Sequence, residues 1–159
     1  MDELLKLLKE NALESAENLG KMLKMKPDEV RAKISQYEKE GIIRGYQAIV
    51  DEDRLGLGAI TAVIEVKVTP EREGGFDRVA KRIAAFPEVT ALYLMSGSFD
   101  LLLFVAGRDL KWVGSFVSEK LATMEGVTGT ATHFMLKTYK SHGVLMEKQD
   151  GEERLQVTP

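Results

Sequence analysis

From Val89 to Gly107 the one charged residue is Asp100, set between the apolar runs Leu92-Tyr93-Leu94-Met95 and Leu101-Leu102-Leu103-Phe104. A carboxylate in such surroundings needs a charged or hydrogen-bond-donating partner. A ligand ammonium group supplies one, and Gly97 lets a backbone N–H come close to a ligand carboxylate. Together these two needs match the ends of an α-amino acid. A hairpin turn at Gly97-Ser98, with Asp100 capping local amides or pairing with a neighbouring lysine, accounts for the same residues structurally. A second set of polar residues lies between Lys26 and Arg44. Arg31 has the fork that meets guanine and Gln36 the amide that meets adenine, while Lys26 and Lys33 suit phosphates. Ser35 shares the outward side of that segment, and Arg44 is within reach of a flanking phosphate. Asp28 and Glu29 oppose this reading by repelling phosphate, although Asp28 can also accept from cytosine N4.

Other chemistries find little support. Cysteine is absent, which removes disulfides, thiolate metal sites and cysteine nucleophiles together. His133 and His142 are the only histidines, and neither has the neighbours of a metal ligand or a catalytic base. Gly74-Gly75 lacks the following Gly and Lys of a phosphate loop. No nucleophile, base and orienting group assemble from the remaining polar residues. We therefore expect no enzyme, no catalytic or metal residues and no cofactor.

The elements that must carry these residues differ in rhythm along the chain. Leu4, Leu5, Leu7, Leu8 and Ala12 form a helical apolar face. Ser15 is a cap for a short helix with Ala16, Leu19, Met22 and Leu23 inward. Pro27 starts a third helix, whose Val30, Ile34 and Tyr37 face the core and whose Asp28 and Glu29 suit the positive end of the dipole. Gly41 ends it, and Ile42 to Val50 reads as a strand. Helix, short helix, tight turn, longer helix and strand is the layout of a winged helix-turn-helix.

After a linker, Ile60 to Thr69 alternates with the period of a strand. Phe76, Val79, Ile83 and Phe86 predict a helix stopped by Pro87. Val89–Met95 and Phe99–Ala106 predict a hairpin about Ser96-Gly97-Ser98. Leu110, Val113, Val117, Leu121 and Met124 predict a second helix, and Val127–Tyr139 a last strand. The order β-α-β-β-α-β is ferredoxin-like, and right-handed crossovers put both helices on one face of the sheet. Leu101 to Val105 is apolar on both parities, so the other face is expected to pair with a second sheet in a homodimer.

The fold class is thus α+β: a winged helix-turn-helix over residues 1–50, a linker over 51–59, a ferredoxin-like effector-binding and oligomerisation domain over 60–146, and a polar tail over 147–159. The chain of 159 residues carries a net charge of −3, with no net charge in residues 1–50, so bulk charge does not announce a nucleic-acid partner. No run of about 18 apolar residues suggests a membrane span. The acidic start, Met1-Asp2-Glu3, argues against an export signal. We expect a cytoplasmic protein with no membrane partner.

The two halves together resemble the Lrp/AsnC, or feast/famine, family over about residues 4 to 146. The resemblance rests on Leu7-Leu8-Lys9-Glu10-Asn11-Ala12, on Pro27, Val30 and Ile34, and on Glu38-Lys39-Glu40-Gly41-Ile42-Ile43-Arg44-Gly45-Tyr46. Phe86-Pro87-Glu88-Val89, Ser96-Gly97-Ser98-Phe99-Asp100, and Gly126-Val127 followed by Thr130 and Thr132 complete it. It implies a transcriptional regulator that binds double-stranded DNA and a small-molecule effector, usually an amino acid. It also implies homodimers that assemble further, from tetramer to octamer, with the effector between dimers. By the same resemblance Ser96, Gly97, Ser98 and Asp100 line the effector pocket, with Thr130 and Thr132 nearby or across an interface. Two alternatives stand beside it. One is an effector-sensing or assembly module whose degenerate helix-turn-helix binds a protein. The other is a tetrapyrrole-processing enzyme of the same architecture, with His133 as axial ligand.

Overall fold

The structure, a computed structural model, describes residues 2–56, 58, 60–70 and 74–146, with Asp53 by its backbone alone. The chain divides into two compact units, residues 1–48 and 49–159. The expected tail, 147–159, lies outside the described residues.

In the first unit each helix starts on a group that satisfies its free amides. Asp2 accepts the Leu4 N–H at 2.9 Å to begin α1 (Glu3–Glu10). Ser15 Oγ accepts the Asn18 N–H at 3.1 Å to begin α2 (Ala16–Leu23), as its position implied. Pro27 opens α3 (Pro27–Lys39), and Glu29 turns back to accept the Lys26 N–H at 2.9 Å. Between α2 and α3 the chain turns tightly through Lys24, at φ 55°, and the Met25 N–H donates to the Gly20 carbonyl at 2.9 Å. Gly20 is required there, because a Cβ would stand 2.7 Å from the Met25 carbonyl oxygen. Leu4, Leu8, Leu19 and Val30 form the core, with Leu7, Ile34 and Tyr37 packed against it. Ala12, expected on the same face, is exposed beyond the end of α1.

The strand expected over Ile42–Val50 does not form. Residues 44–50 enter no ladder, and Ile42, Tyr46, Ile49 and Val50 are exposed. Strand character in a sequence becomes a strand only where a neighbour accepts its hydrogen bonds, and none does so among the described residues.

The second unit opens with α4 (Glu52–Leu55), one helical turn inside the expected linker. There follow β1 (Ile60–Val68), α5 (Asp77–Ala84), β2 (Val89–Leu94), β3 (Leu101–Gly107), α6 (Leu110–Ser115) and β4 (Val127–Phe134). The sheet runs β2-β3-β1-β4 with antiparallel pairs throughout, so the β-α-β-β-α-β order read from the sequence is the observed one. Ala62, Ile64, Val66 and Val68 of β1 and Leu101, Leu103 and Val105 of β3 are buried on one face. They share a core with Val79 and Ile83 of α5, Val113 of α6, and Phe116, Leu121 and Met124 beyond it. Val63, Leu102 and Phe104 lie on the other face and are partly exposed. Glu65 on that face pairs with His133 at 3.3 Å.

Two elements differ from expectation. The helix after β3 widens at Phe116–Leu121, where the Ala122 N–H reaches back to the Val117 carbonyl at 2.8 Å. Phe116, three residues after the buried Val113 and on the same side of the helix, is a core residue not expected there, and Leu110 at the start of α6 is exposed. Met124, expected inward, is buried. The last strand ends at Phe134 rather than Tyr139. Its ladder with β1 closes on Phe134 opposite Ala62, and the Met135 N–H adds one last bond to the Thr61 carbonyl at 2.9 Å, next to the start of β1 at Ile60. The chain then forms a separate hairpin of β5 (Lys140–Ser141) and β6 (Val144–Leu145).

Candidate functional site

The polar residues of α3 sit on two flanks of the helix. On the flank toward α2, Arg31 Nη1 donates to Asp28 at 2.8 Å and Nη2 to the carboxylate of Glu17. On the other flank, Gln36 Nε2 donates to Glu40 at 2.7 Å. Asp28 and Ala32 point away from the core and are exposed, and Ser35 is half-buried. Lys26 is exposed at the start of the helix.

Lys33 is placed differently. Its amine bonds Asp2 at 2.7 Å and ties the start of α1 to α3. That pair holds the Asp2 carboxyl below its ordinary 3.8, with help from the Leu4 N–H, and holds the Lys33 amine above its ordinary 10.5. Burial raises the neighbouring Tyr37 hydroxyl. Lys33 therefore has a structural partner that a phosphate would have to displace. Arg44 folds back over the C-terminal end of α3, where a Cβ on Gly41 would come within 3.1 Å of its Cζ. A cation there also complements the negative end of the helix dipole. Of the six residues singled out for DNA contact, Lys26, Arg31, Ser35 and Gln36 lie on α3 or at its start without a tie to α1, while Lys33 and Arg44 lie at its base and end.

In the second unit, Ser96, Gly97 and Ser98 form an exposed turn between β2 and β3. Gly97 has φ 126°, a conformation that side chains disfavour, and open space lies beside its Cα. The Met95 N–H closes the turn on the Asp100 carbonyl at 2.8 Å, and the Asp100 N–H donates to the Val66 carbonyl at 3.0 Å. The half-buried Asp100 carboxylate accepts the Val68 N–H at 2.8 Å. Val68 is where the ladder between β1 and β4 shifts register, so this carboxylate secures an amide at an irregular point of the sheet. Within the chain the partner of Asp100 is thus a backbone amide, but one supplied by β1, 32 residues away, rather than by the turn itself.

Thr130 and Thr132 are not gathered with that turn. They lie opposite Val66 and Ile64, on the helix-covered face of the edge strand β4. Val66 in turn faces Leu101, so two strand spacings of about 4.8 Å each separate Thr130 from the end of the turn. The register shift between Lys67 and Val68 takes Thr128 out of line with them. Thr128 Oγ1 instead donates to the Lys67 carbonyl at 3.2 Å. A cavity of about 460 Å³ lies elsewhere in this unit, among Asp51, Thr61, Met135, Lys137, Ser141 and Met146, none of them a residue the sequence singled out. Its lining comes from the start of β1 and from segments before and after the sheet, which carry no motif.

Among the described residues no three His, Cys, Asp or Glu side chains cluster as metal ligands, and no helix is long and apolar enough to cross a membrane.

The Lrp/AsnC ligand binding domain family matches residues 61–145. The HTH-type transcriptional regulator YugG of Bacillus subtilis is 43% identical over 99% of this chain and 95% of its own. A transcriptional regulator of Neisseria meningitidis, solved in complex with L-Met, is 26% identical with a TM-score of 0.69, over 89% of this chain and 93% of that one. Escherichia coli AsnC, at 20% identity, shares the fold with a TM-score of 0.67, over 89% of this chain and 95% of its own. A domain match across more than half of the chain, and a relative this similar along nearly all of it, place the chain in the Lrp/AsnC family of transcriptional regulators, with the family's ligand-binding domain at residues 61–145.

Proposed function

We propose that this regulator reads double-stranded DNA with α3 and answers to an α-amino acid bound at the turn 96–100. The first unit, residues 1–50 in the reading from sequence, acts as a helix-turn-helix, with the segment 42–50 in the place of the expected wing but without its strand. The tight turn at Gly20–Met25 supports this by setting α2 and α3 as a close pair with the polar side of α3 outward. Arg31 and Gln36 meet base edges, Ser35 adds a hydroxyl, and Lys26, Lys33 and Arg44 meet phosphates.

The observation that carries the effector assignment is the turn itself. It lies inside the matched ligand-binding domain, holds Gly97 at φ 126°, and is anchored by the bond from Val68 to Asp100. Its exposed backbone suits a ligand carboxylate, and the remaining capacity of Asp100 suits an ammonium. The N. meningitidis relative holds L-Met, which supports an amino acid as the ligand class. The distance of Thr130 and Thr132 from the turn supports a site completed by another copy. The partly apolar face of Val63, Leu102 and Phe104 is where two sheets meet in a homodimer, and dimers then associate into tetramers or octamers. The protein acts in the cytoplasm and carries out no catalysis.

A second reading has one observation behind it. Glu17 and Asp28 neutralise Arg31, and such a helix pair suits a protein partner better than phosphate. Fluorescence anisotropy on the DNA upstream of its own gene separates the two. A scrambled duplex serves as control, at two salt concentrations, with and without mixed amino acids. Sequence preference that weakens steeply with salt and shifts with amino acids supports regulation through DNA. Equal, feeble binding to both duplexes, unmoved by amino acids, supports the protein partner. Gly97→Arg, which fills the open space beside the turn, should remove the amino-acid shift and leave DNA binding in place.

A further inference from the structure

Arg31 is bracketed by two carboxylates that come from different elements. Asp28 lies one turn back on α3, and Glu17 lies on α2, fourteen residues away in sequence. All three side chains are exposed, Arg31 by 53%, Glu17 by 54% and Asp28 by 96%. Exposed ion pairs are individually weak and readily exchanged, so the bracket opens when a better acceptor arrives. It nevertheless changes what counts as better. An unbracketed guanidinium is drawn to any phosphate, and that attraction is the part of DNA affinity that carries no sequence information. Here a lone phosphate oxygen must displace a carboxylate and then face a local excess of negative charge. Guanine offers two acceptors in the plane of the guanidinium, O6 and N7, and so replaces both bonds at once.

The geometry points to Glu17 as a specificity-determining residue that acts by positioning and masking Arg31. Glu17 lowers affinity for arbitrary DNA more than affinity for the preferred site. Asp28 shares the local charge. Glu17 differs in reaching Arg31 from the neighbouring helix, and so fixes the guanidinium against the helix pair. This rests on the DNA-reading role proposed for α3.

The test uses the full chain as wild type, E17Q, R31A, E17Q/R31A and E17D. Each is titrated by anisotropy against a 30-base-pair duplex of random sequence and against a duplex enriched by the wild type from a random pool. We expect E17Q to tighten binding to the random duplex by about threefold to fivefold and to the enriched duplex by less than about twofold, the scale of one exposed ion pair. In the R31A background the same substitution should change the ratio of the two affinities by less than about 1.5-fold, the near-additivity of uncoupled residues. E17D keeps the carboxylate and should restore most of the discrimination. Circular dichroism checks that each variant folds, and if E17Q loses helix, E17A is compared in the same cycle. An equal effect of E17Q with and without Arg31 means that Glu17 acts as a bare charge, and the proposal fails. An unchanged ratio of affinities in E17Q also overturns it. If the wild type enriches no sequence and binds the random duplex feebly, the DNA-reading role itself falls and the masking role with it. The wild-type titration alone separates that outcome from the others.

Discussion

The first unit builds its core from four fully packed side chains, Leu4, Leu8, Leu19 and Val30, and secures the rest with caps and ion pairs at helix ends. The second unit buries thirteen among its described residues, most of them drawn from two central strands and the helices above them. The surfaces proposed for DNA and effector follow the same division. On α3 they are side chains whose charges are answered by other side chains and can be exchanged for a ligand's groups. At the turn 96–100 they are backbone amides, fixed by an unusual φ and by a carboxylate that bonds the next strand. A surface made of exchangeable ion pairs suits many weak contacts along a duplex. A surface made of fixed amides suits one small ligand with a defined charge pattern.

Four experiments break or sharpen this contrast. Ile64→Ala removes a wholly buried side chain of β1 and should cost about 2–5 kcal/mol, the range for emptying a packed core position. Denaturant unfolding followed by the fluorescence of Trp112, the single tryptophan, reports it, since that ring stacks on Phe116 in the same core. A loss below about 1 kcal/mol would mean that the sheet core is less decisive than its burial implies.

Gly20→Ala forces a Cβ against the Met25 carbonyl oxygen and should cost about 1–3 kcal/mol in the first unit, as overpacking does. Unchanged methyl resonances of Leu8 and Leu19, with unchanged thermal stability, would count against the tight α2–α3 turn.

Asp100→Ala leaves the Val68 amide without its acceptor and should cost about 1–3 kcal/mol. Asp100→Asn keeps an acceptor oxygen and should recover most of that stability while losing any ammonium ligand. Equal stability of the two variants would show that the bond to Val68 carries little of the turn's order.

The smallest effect is that of acid. The Asp2 carboxyl is held below 3.8, chiefly by the Lys33 amine, and Glu88 is held below its ordinary 4.5, chiefly by Lys120 at 2.6 Å. Both carboxyls are depressed in the folded state. Each therefore adds stability that is complete above the unfolded value and is lost as pH falls through the folded one. Lowering pH from 7 to 3 should loosen the first unit before the second, because fewer buried side chains stand behind its ion pair. Two-dimensional NMR comparing methyl groups of Leu8 and Leu103 checks the order. Simultaneous loss would remove the distinction between the units.

Much of the fold could be read from periodicity. The inward faces of α3, β1 and α5 follow from spacing alone, and Ser15 announced its capping role. Readings failed where a partner or a backbone irregularity intervened. Ile42–Val50 has the composition of a strand and no ladder. Phe116 joined Val113 in the core as a neighbour one turn on, and Thr128 left the alignment of Thr130 and Thr132 through a register shift. The site residues were legible as types. Their partners were not, because Glu17 lies far from Arg31 in sequence and Asp2 far from Lys33.

By itself, then, the order of residues determined the element types, the apolar faces, the family and the positions with chemistry to offer, since these depend on local spacing and side-chain type. Tertiary structure alone decided which charges are already spent on one another. It tied Lys33 to Asp2, bracketed Arg31, turned Asp100 toward the Val68 amide, and set Thr130 and Thr132 two strands from the turn at 96–98 within the chain. Electrostatic and hydrogen-bond partners are chosen by distance in space, and distance in space is what a chain acquires only on folding.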